Sequence, residues 1–463
     1  MIIPMLSPMR RRASTASRTA ASAATAPEDE LMHAMTAALN NGDENEARLV
    51  WQAVRNAQES DGEFLAAFAT HGGAGALFNY VASQPLDARS ADAESLTAFA
   101  WAALAEIALH ESAARKVSDV KTLLFNMTLV RCCVQCIPSR NGAAALRVLR
   151  ALASNHLEFK HKLLTYPRLV DAVLASDDAE AWLTLDVLSA PAPFAPMQRE
   201  LYRVMWKHSA LVERVFAASK TPDAEVRKAA LAVLHNLLCN AAVLDDVRAD
   251  ESLFARVQKC ARRGLSSGLA PVAVGVLQCV CPDGRALEQA TLEAMREALA
   301  TQSTAAAPVA VLLCHWAEWD ANKTRLVSVA GMLDTLRDVL AAERTPDAFE
   351  ADRPLLEAVL ELLQHLGMAP GGDGARALFD TPALMRLVVD RIAECPLQAV
   401  SCVLYALKAH ADGKKAVVDA GITEQLAALA TLRANNNNNN LHRGNAALVK
   451  ARVALLEQEL GPR

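Results

Sequence analysis

Cys132-Cys133-Val134-Gln135-Cys136 contains a C-x-x-C pair and Cys279-Val280-Cys281 a C-x-C pair, spacings at which thiolates can ligate zinc. A closed zinc site takes four ligands, usually two such pairs at suitable separation. Neither pair has a matching pair or a His-x3-His beside it. The first lies in the apolar stretch 123–137 and the second in 272–281, so both read as core cysteines and no metal site is expected. Cys314 next to His315, and His156 with His161, offer ligand or nucleophile–base pairs by residue type. Successive residues on a helix point about 100° apart, which sets Cys314 and His315 on different faces. Gly72-Gly73-Ala74-Gly75 lacks the lysine and the preceding strand of a phosphate cradle. No nucleophile elbow or paired carboxylate stands in a credible context. The expectation is no enzyme: no catalytic residue, no cofactor and no small-molecule substrate.

The elements that carry these residues follow one repeated phrase. Its clearest copies are Ala230-Leu231-Ala232-Val233-Leu234-His235-Asn236-Leu237 and Ala145-Leu146-Arg147-Val148-Leu149-Arg150-Ala151-Leu152, both spelling A-L-x-x-L-x-x-L. Taking Leu234 as the anchor, its counterparts are Leu104, Leu149, Leu185, Leu277, Leu312, Leu363 and Leu404, a mean spacing of about 43 residues. A second series interleaves with the first: Leu77, Leu123, Leu169, Leu211, Leu253, Leu292, Leu333, Leu384 and Ile422. Such a period with helical residues throughout marks stacked helical repeats. In such an array each repeat packs only on its neighbours, so the core grows along one axis however long the chain. The 463 residues are 52% hydrophobic but only 5% aromatic, a composition dominated by strong helix formers. No β-branched run bounded by turn signals is present, so no sheet is expected.

A net charge of −5 on this length gives no basic stripe to displace phosphate counterions, and no nucleic-acid partner is expected. Gly, Pro or charge interrupts every apolar run before it reaches the length of a membrane span. The ten cysteines are scattered rather than framework-spaced, which reads as reduced thiols in an intracellular protein. Residues 1–27 differ from the rest: Arg10, Arg11, Arg12 and Arg18 sit among Ser, Thr and Ala, and Glu28 is the first acid. Two readings are open there, a mitochondrial targeting peptide and a plain disordered tail. The corresponding locations are the mitochondrion and, preferred, the cytoplasm. Arg11-Arg12-Ala13-Ser14 also spells a short basophilic-kinase pattern.

The plan of a unit is clearest in residues 309–340. There Asp320–Lys323 reads as a turn, Arg325-Leu326-Val327 as a short helix, Gly331 as a hinge and 332–340 as a last helix. Residues 400–429 repeat it with Asp412-Gly413-Lys414-Lys415, Ala416-Val417-Val418 and Gly421. This order, with D-A-G-I at 419–422 and V-A-G-M-L at 329–333, resembles armadillo repeats of the wider armadillo/HEAT superfamily. The resemblance covers roughly residues 45–432 and implies an all-α, right-handed superhelical solenoid of about nine armadillo/HEAT-like repeats. The expected organisation is a basic tail over 1–29, the solenoid over 30–434, an Asn-rich loop at 435–440 and a capping helix at 441–463. Pro191, Pro193 and Pro196, the segment 346–354, and Gly371-Gly372-Asp373-Gly374 read as loops.

In armadillo proteins the helix matching A-L-x-x-L-x-x-L lines a concave groove. Proteins similar to importin alpha place a recurring Asn two residues after the anchor, with Trp at fixed spacing. Here that position reads Glu106, Ala151, Val187, Asn236, Cys279, Cys314, His365 and Ala406. Only Asn236 fits, so an import receptor is not expected. The resemblance then implies a scaffold or adaptor that holds protein segments in its groove. A different class, the structural subunit of a larger mitochondrial or ciliary assembly, stays open beside it. Candidate partner-binding residues are Asn236, Asn240, Trp316, Trp319 and His365. For the Asn pair, a turn-capping role is the alternative. For the Trp pair the alternative is one ring in the core and one at the turn.

Overall fold

The computed structural model describes residues 27–84, 95–110, 124–154, 156–190, 202, 205–281, 287–301, 305–342, 346–381, 383–435 and 443–461. Within them the structure is all-α, with no strand. The stretch 1–26, the prolines at 191–196, Leu123 and the asparagines 436–440 lie outside the described residues. The chain divides into two compact units, Met1–Leu152 and Ala153–Arg463.

The first unit contains α1 (Pro27–Asn41), α2 (Glu44–Ser60), α3 (Phe64–Phe68), α4 (Ala74–Ser83), α5 (Leu96–Leu109), α6 (Met127–Cys136) and α7 (Gly142–Ala153). Asp43 starts α2 by accepting a hydrogen bond from the Glu46 amide at 3.0 Å, the role of an N-cap. Ala47, Val50, Trp51 and Val54 form the buried face of that helix. Leu49, next to Val50 in sequence, points outward and is 67% exposed. The buried Trp51 ring meets Phe68 and Phe99 edge-on at 6.0 and 6.5 Å.

In the second unit the helices are α8 (Leu157–Leu164), α9 (Leu169–Ala175), α10 (Ala179–Ser189), α11 (Ser209–Ala218), α12 (Ala224–Leu238), α13 (Ala241–Ala249), α14 (Glu251–Ser266), α15 (Ala270–Val280) and α16 (Gln289–Ala300). They continue as α17 (Ala306–Trp316), α18 (Asp320–Ser328), α19 (Met332–Ala341), α20 (Pro346–Gly367), α21 (Asp373–Asp380), α22 (Leu384–Asp390), α23 (Pro396–Ala409), α24 (Lys414–Asp419), α25 (Ile422–Asn435) and α26 (Arg443–Leu460). Two layers result. The anchor layer runs α10, α12, α15, α17, α20, α23, α26, each helix packing on the next. The other runs α9, α11, α14, α16, α19, α22, α25 in the same fashion.

Every anchor leucine is buried, from Leu104 and Leu149 in the first unit to Leu185, Leu234, Leu277, Leu312, Leu363 and Leu404 in the second. Each contributes on the order of 2 kcal/mol by leaving water. Leu77, Leu169, Leu211, Leu292, Leu384 and Ile422 of the second series are buried as well, whereas Leu253 and Leu333 are half-buried. Charge–dipole contacts tie the repeats together. Arg214 donates to the Ser176 carbonyl, Arg248 to Cys279, Arg325 to Leu287 and Arg391 to Leu340. Three of these carbonyls lie at helix C-termini, where backbone acceptors lack intrahelical donors and cations are favoured.

Gly331 and Gly421, the expected hinges, have φ of 75° and 85°, a left-handed conformation that costs a Cβ-bearing residue about 1–2 kcal/mol. Asp320–Lys323 is not a turn but the first turn of α18. Residues 346–354, expected to be a loop, are the start of the 22-residue α20, with Pro354 inside it. Tertiary packing overrides the proline there. Leu355, Leu356, Val359, Leu360 and Leu363 are all buried, on a helix seated between α17 and α23. Arg353 also donates to Glu357 one turn on at 3.0 Å. Of the Gly-rich run, Gly371 and Gly372 form a short turn, but Asp373 and Gly374 already belong to α21. No single described helix is long and apolar enough to cross a membrane.

Candidate functional site

The residue two after each anchor was expected to face a groove. The structure buries it at Ala151, Asn236, Cys314 and Ala406 and leaves it half-buried at Glu106, Val187, Cys279 and His365. In the first unit Glu106 accepts from Trp51 Nε1 at 3.3 Å and pairs with Arg55. Asn236 is 8% exposed, and its Nδ2 donates back to Asp186 Oδ1 at 3.0 Å and Ser189 Oγ at 3.1 Å on α10. Burial raises the Asp186 carboxyl above its ordinary range, opposed by that Asn236 hydrogen bond and by Lys160 and Lys228. Cys314 Sγ donates forward to the Ala358 carbonyl of α20 at 3.0 Å. At Asn236 and Cys314 this position is therefore taken up by contact with the neighbouring anchor helix.

The expected binding residues therefore separate. Asn240 is buried and caps α13, its Oδ1 accepting from the Ala242 amide at 3.0 Å. Asn236 and Asn240 thus have structural duties, and neither presents its amide to solvent. Trp316 is 1% exposed and packs in the core; the Arg325 guanidinium lies 6.0 Å from its ring centre. Its carbonyl accepts from Asn322 at 3.0 Å. Trp319, one turn later, is 38% exposed at the start of α18. His365 on α20 is half-buried, with a buried Nδ1 that lacks a hydrogen-bond partner. Burial lowers its pKa from the ordinary value; Glu361 and Glu318 oppose that, while Lys323 and His315 add to it. His315, Glu318 and Glu361 are exposed, and so is Val311 one turn before His315. His365 thus lies within electrostatic reach of Glu361, Lys323, Glu318 and His315, and the exposed Trp319 directly follows Glu318 in the chain.

A second cluster escaped the sequence reading. His235 and Cys239 project from the C-terminal end of α12, and Cys279 from the last turn of α15. The three candidate ligand atoms lie within 4.8 Å of one another, with Cys239 Sγ 3.9 Å from His235 Nε2. Hydrogen bonds from Cys279 and then His235 pull the Cys239 thiol down to about 4, while Cys279, sharing its proton with Cys239 and partly desolvated, is pushed up. Cys279 is thus no core cysteine. Its neighbour in sequence, Cys281, is buried, as are the three cysteines of the 132–136 motif. The usable signal was the repeat itself. Cys279 lies 40 residues after Cys239 and 44 after His235, close to one period, and one period is what stacks side chains beside each other. All ten cysteines are free thiols.

The chain matches no protein-family model and no curated protein sequence. Among solved structures it is similar to a beta-catenin armadillo-repeat structure described under the words "A conserved phosphorylation switch controls the interaction between cadherin and beta-catenin in vitro and in vivo". The likeness has a TM-score of 0.53 at 16% identity, over 94% of this chain and 84% of that chain. At that identity it shows the fold, and the fold of this chain is that of the armadillo-like helical repeats.

Proposed function

We propose that this chain is a non-enzymatic scaffold that binds segments of partner proteins along the exposed face of its anchor-helix layer. The observation that carries the reading is the layer itself. Six anchor helices and the closing helix α26 stack one on the next from α10 to α26, with every anchor leucine in the core and Val311, His315 and Glu361 exposed on the central helices. Such an extended preorganised surface lowers the ordering cost of holding a peptide. The structural neighbour, in which cadherin and beta-catenin interact, supports a protein as the class of ligand. Trp319 is the proposed anchor, because a half-exposed indole flanked by polar groups is the usual composition of a binding hot spot. His365, with Glu318 and Glu361 beside it, supplies polar contacts.

The test is affinity purification of the tagged chain against Trp319→Ala and His365→Ala. Trp319→Ala is expected to lower recovery of a specific partner by about 30-fold, the hot-spot cost of about 2 kcal/mol, with the melting temperature nearly unchanged. Equal recovery of all partners by wild type and both variants would remove this surface from the reading. Partners that co-purify at fixed stoichiometry and resist salt would instead favour a structural subunit of a stable assembly.

A further inference from the structure

We propose that His235, Cys239 and Cys279 form a zinc-binding site, with two thiolates and one imidazole as ligands and a fourth position open to solvent. With Zn–S near 2.3 Å and Zn–N near 2.0–2.1 Å, tetrahedral ligand atoms sit roughly 3.4–3.8 Å apart. The cluster is close to that spacing, at 3.9 Å between Cys239 Sγ and His235 Nε2 and no more than 4.8 Å between any two ligand atoms. Two sulfurs and an imidazole select a borderline-soft ion over calcium or magnesium, which take oxygen ligands. Two thiolates also neutralise a divalent charge.

The surroundings are built to the same purpose. His235 lies against Gly275 of α15, where a Cβ would stand 3.0 Å from its Cδ2 and Nε2, so the next repeat leaves room for the ring by having no side chain there. Arg248 donates to the Cys279 carbonyl at 3.4 Å and steadies the backbone of the third ligand. The ligands sit at the C-terminal ends of two helices, where the backbone dipoles favour a cation. Tyr202 adds an independent sign. It is only 6% exposed, its hydroxyl has no hydrogen-bond partner, and it lies close enough to Cys239 to feel a charge there. A metal-bound thiolate, or water in the open position, is the acceptor this buried donor lacks, as outer-sphere groups of metal sites require. Cys239 is exposed, which gives an ion its path inward. Binding releases the thiol protons to solvent, and no oxidation is involved.

The full chain, reduced and stripped of metal, is titrated with cobalt(II) as a spectroscopic substitute and then with zinc(II). The expected result is one equivalent of cobalt, a thiolate-to-cobalt charge-transfer band, and loss of the band when zinc displaces it. Cys239→Ser and Cys279→Ser each remove the band, whereas Cys281→Ala, which alters the sequence neighbour outside the cluster, keeps it. Tyr202→Phe retains one equivalent but weakens binding about 10-fold, the lower end of outer-sphere effects. Circular dichroism on each variant separates a lost ligand from a lost fold, and Cys239, being exposed, is the variant least able to disturb packing. No band in the reduced wild type, or a band that survives in a folded Cys239→Ser variant, overturns the proposal; so does cobalt that zinc cannot displace.

Discussion

Asn236 shows how one side chain changes meaning once its neighbours are known. Its amide spans the gap between α12 and α10, satisfying a half-buried carboxylate and a buried hydroxyl together. Replacing it with Ala leaves Asp186 and Ser189 without that donor, and the Asp186 carboxyl, already raised by burial, rises further. Asn236→Ala is expected to cost about 1–3 kcal/mol, read as a lower denaturant midpoint at unchanged m-value, with partner recovery intact. An undiminished midpoint with lost partners would return the residue to a recognition role. Trp319 is expected to behave oppositely. The difference between the two lies in exposure, and exposure is set by which helix lies alongside.

At the scale of the element, the repeat tolerates residues that would end a lone helix. Pro354 removes a backbone donor and crowds the preceding turn, a cost near 3 kcal/mol in an exposed helix interior. Yet α20 runs through it because its leucine-rich face is buried between α17 and α23. Pro354 itself is exposed, so Pro354→Ala restores a hydrogen bond without disturbing the core. It is expected to raise stability by about 1–2 kcal/mol, after allowing for the proline's restriction of the unfolded chain. A calorimetric melting temperature that rises by a few degrees checks this; a fall would mean the proline shapes a bend the neighbouring helices need. The hinge glycines are the reverse case. Gly331 and Gly421 were recognisable as turn residues because only their own backbone angle is at issue.

At the scale of the whole molecule, the charge is near neutral and the described residues form an all-α array of stacked helices. Residues 1–26 lie outside the described residues and carry none of the anchor phrases. Their deletion is expected to leave the melting temperature unchanged. A fluorescent reporter fused to residues 1–40 is expected to stay diffuse in the cytosol. Import into mitochondria would establish the targeting reading of the arginine-rich segment instead.

The leucine series by itself determined the class of fold, since a buried helix face must repeat at the helical period and a stack of such helices at the repeat length. All eight anchors it named are in the core. The hinge glycines Gly331 and Gly421 were legible too, being a matter of local angle, whereas the sequence left the Trp316–Trp319 pair open between binding and core. Only the tertiary structure decided the rest. Whether the position after an anchor faces solvent or a seam depends on where the next helix crosses, and that crossing is set by side chains some 40 residues away. The same stacking hid Asn236, carried a helix through Pro354 and set Cys239 against Cys279. Contacts between repeats are made across one period of sequence, so a motif read along the chain contains only half of each.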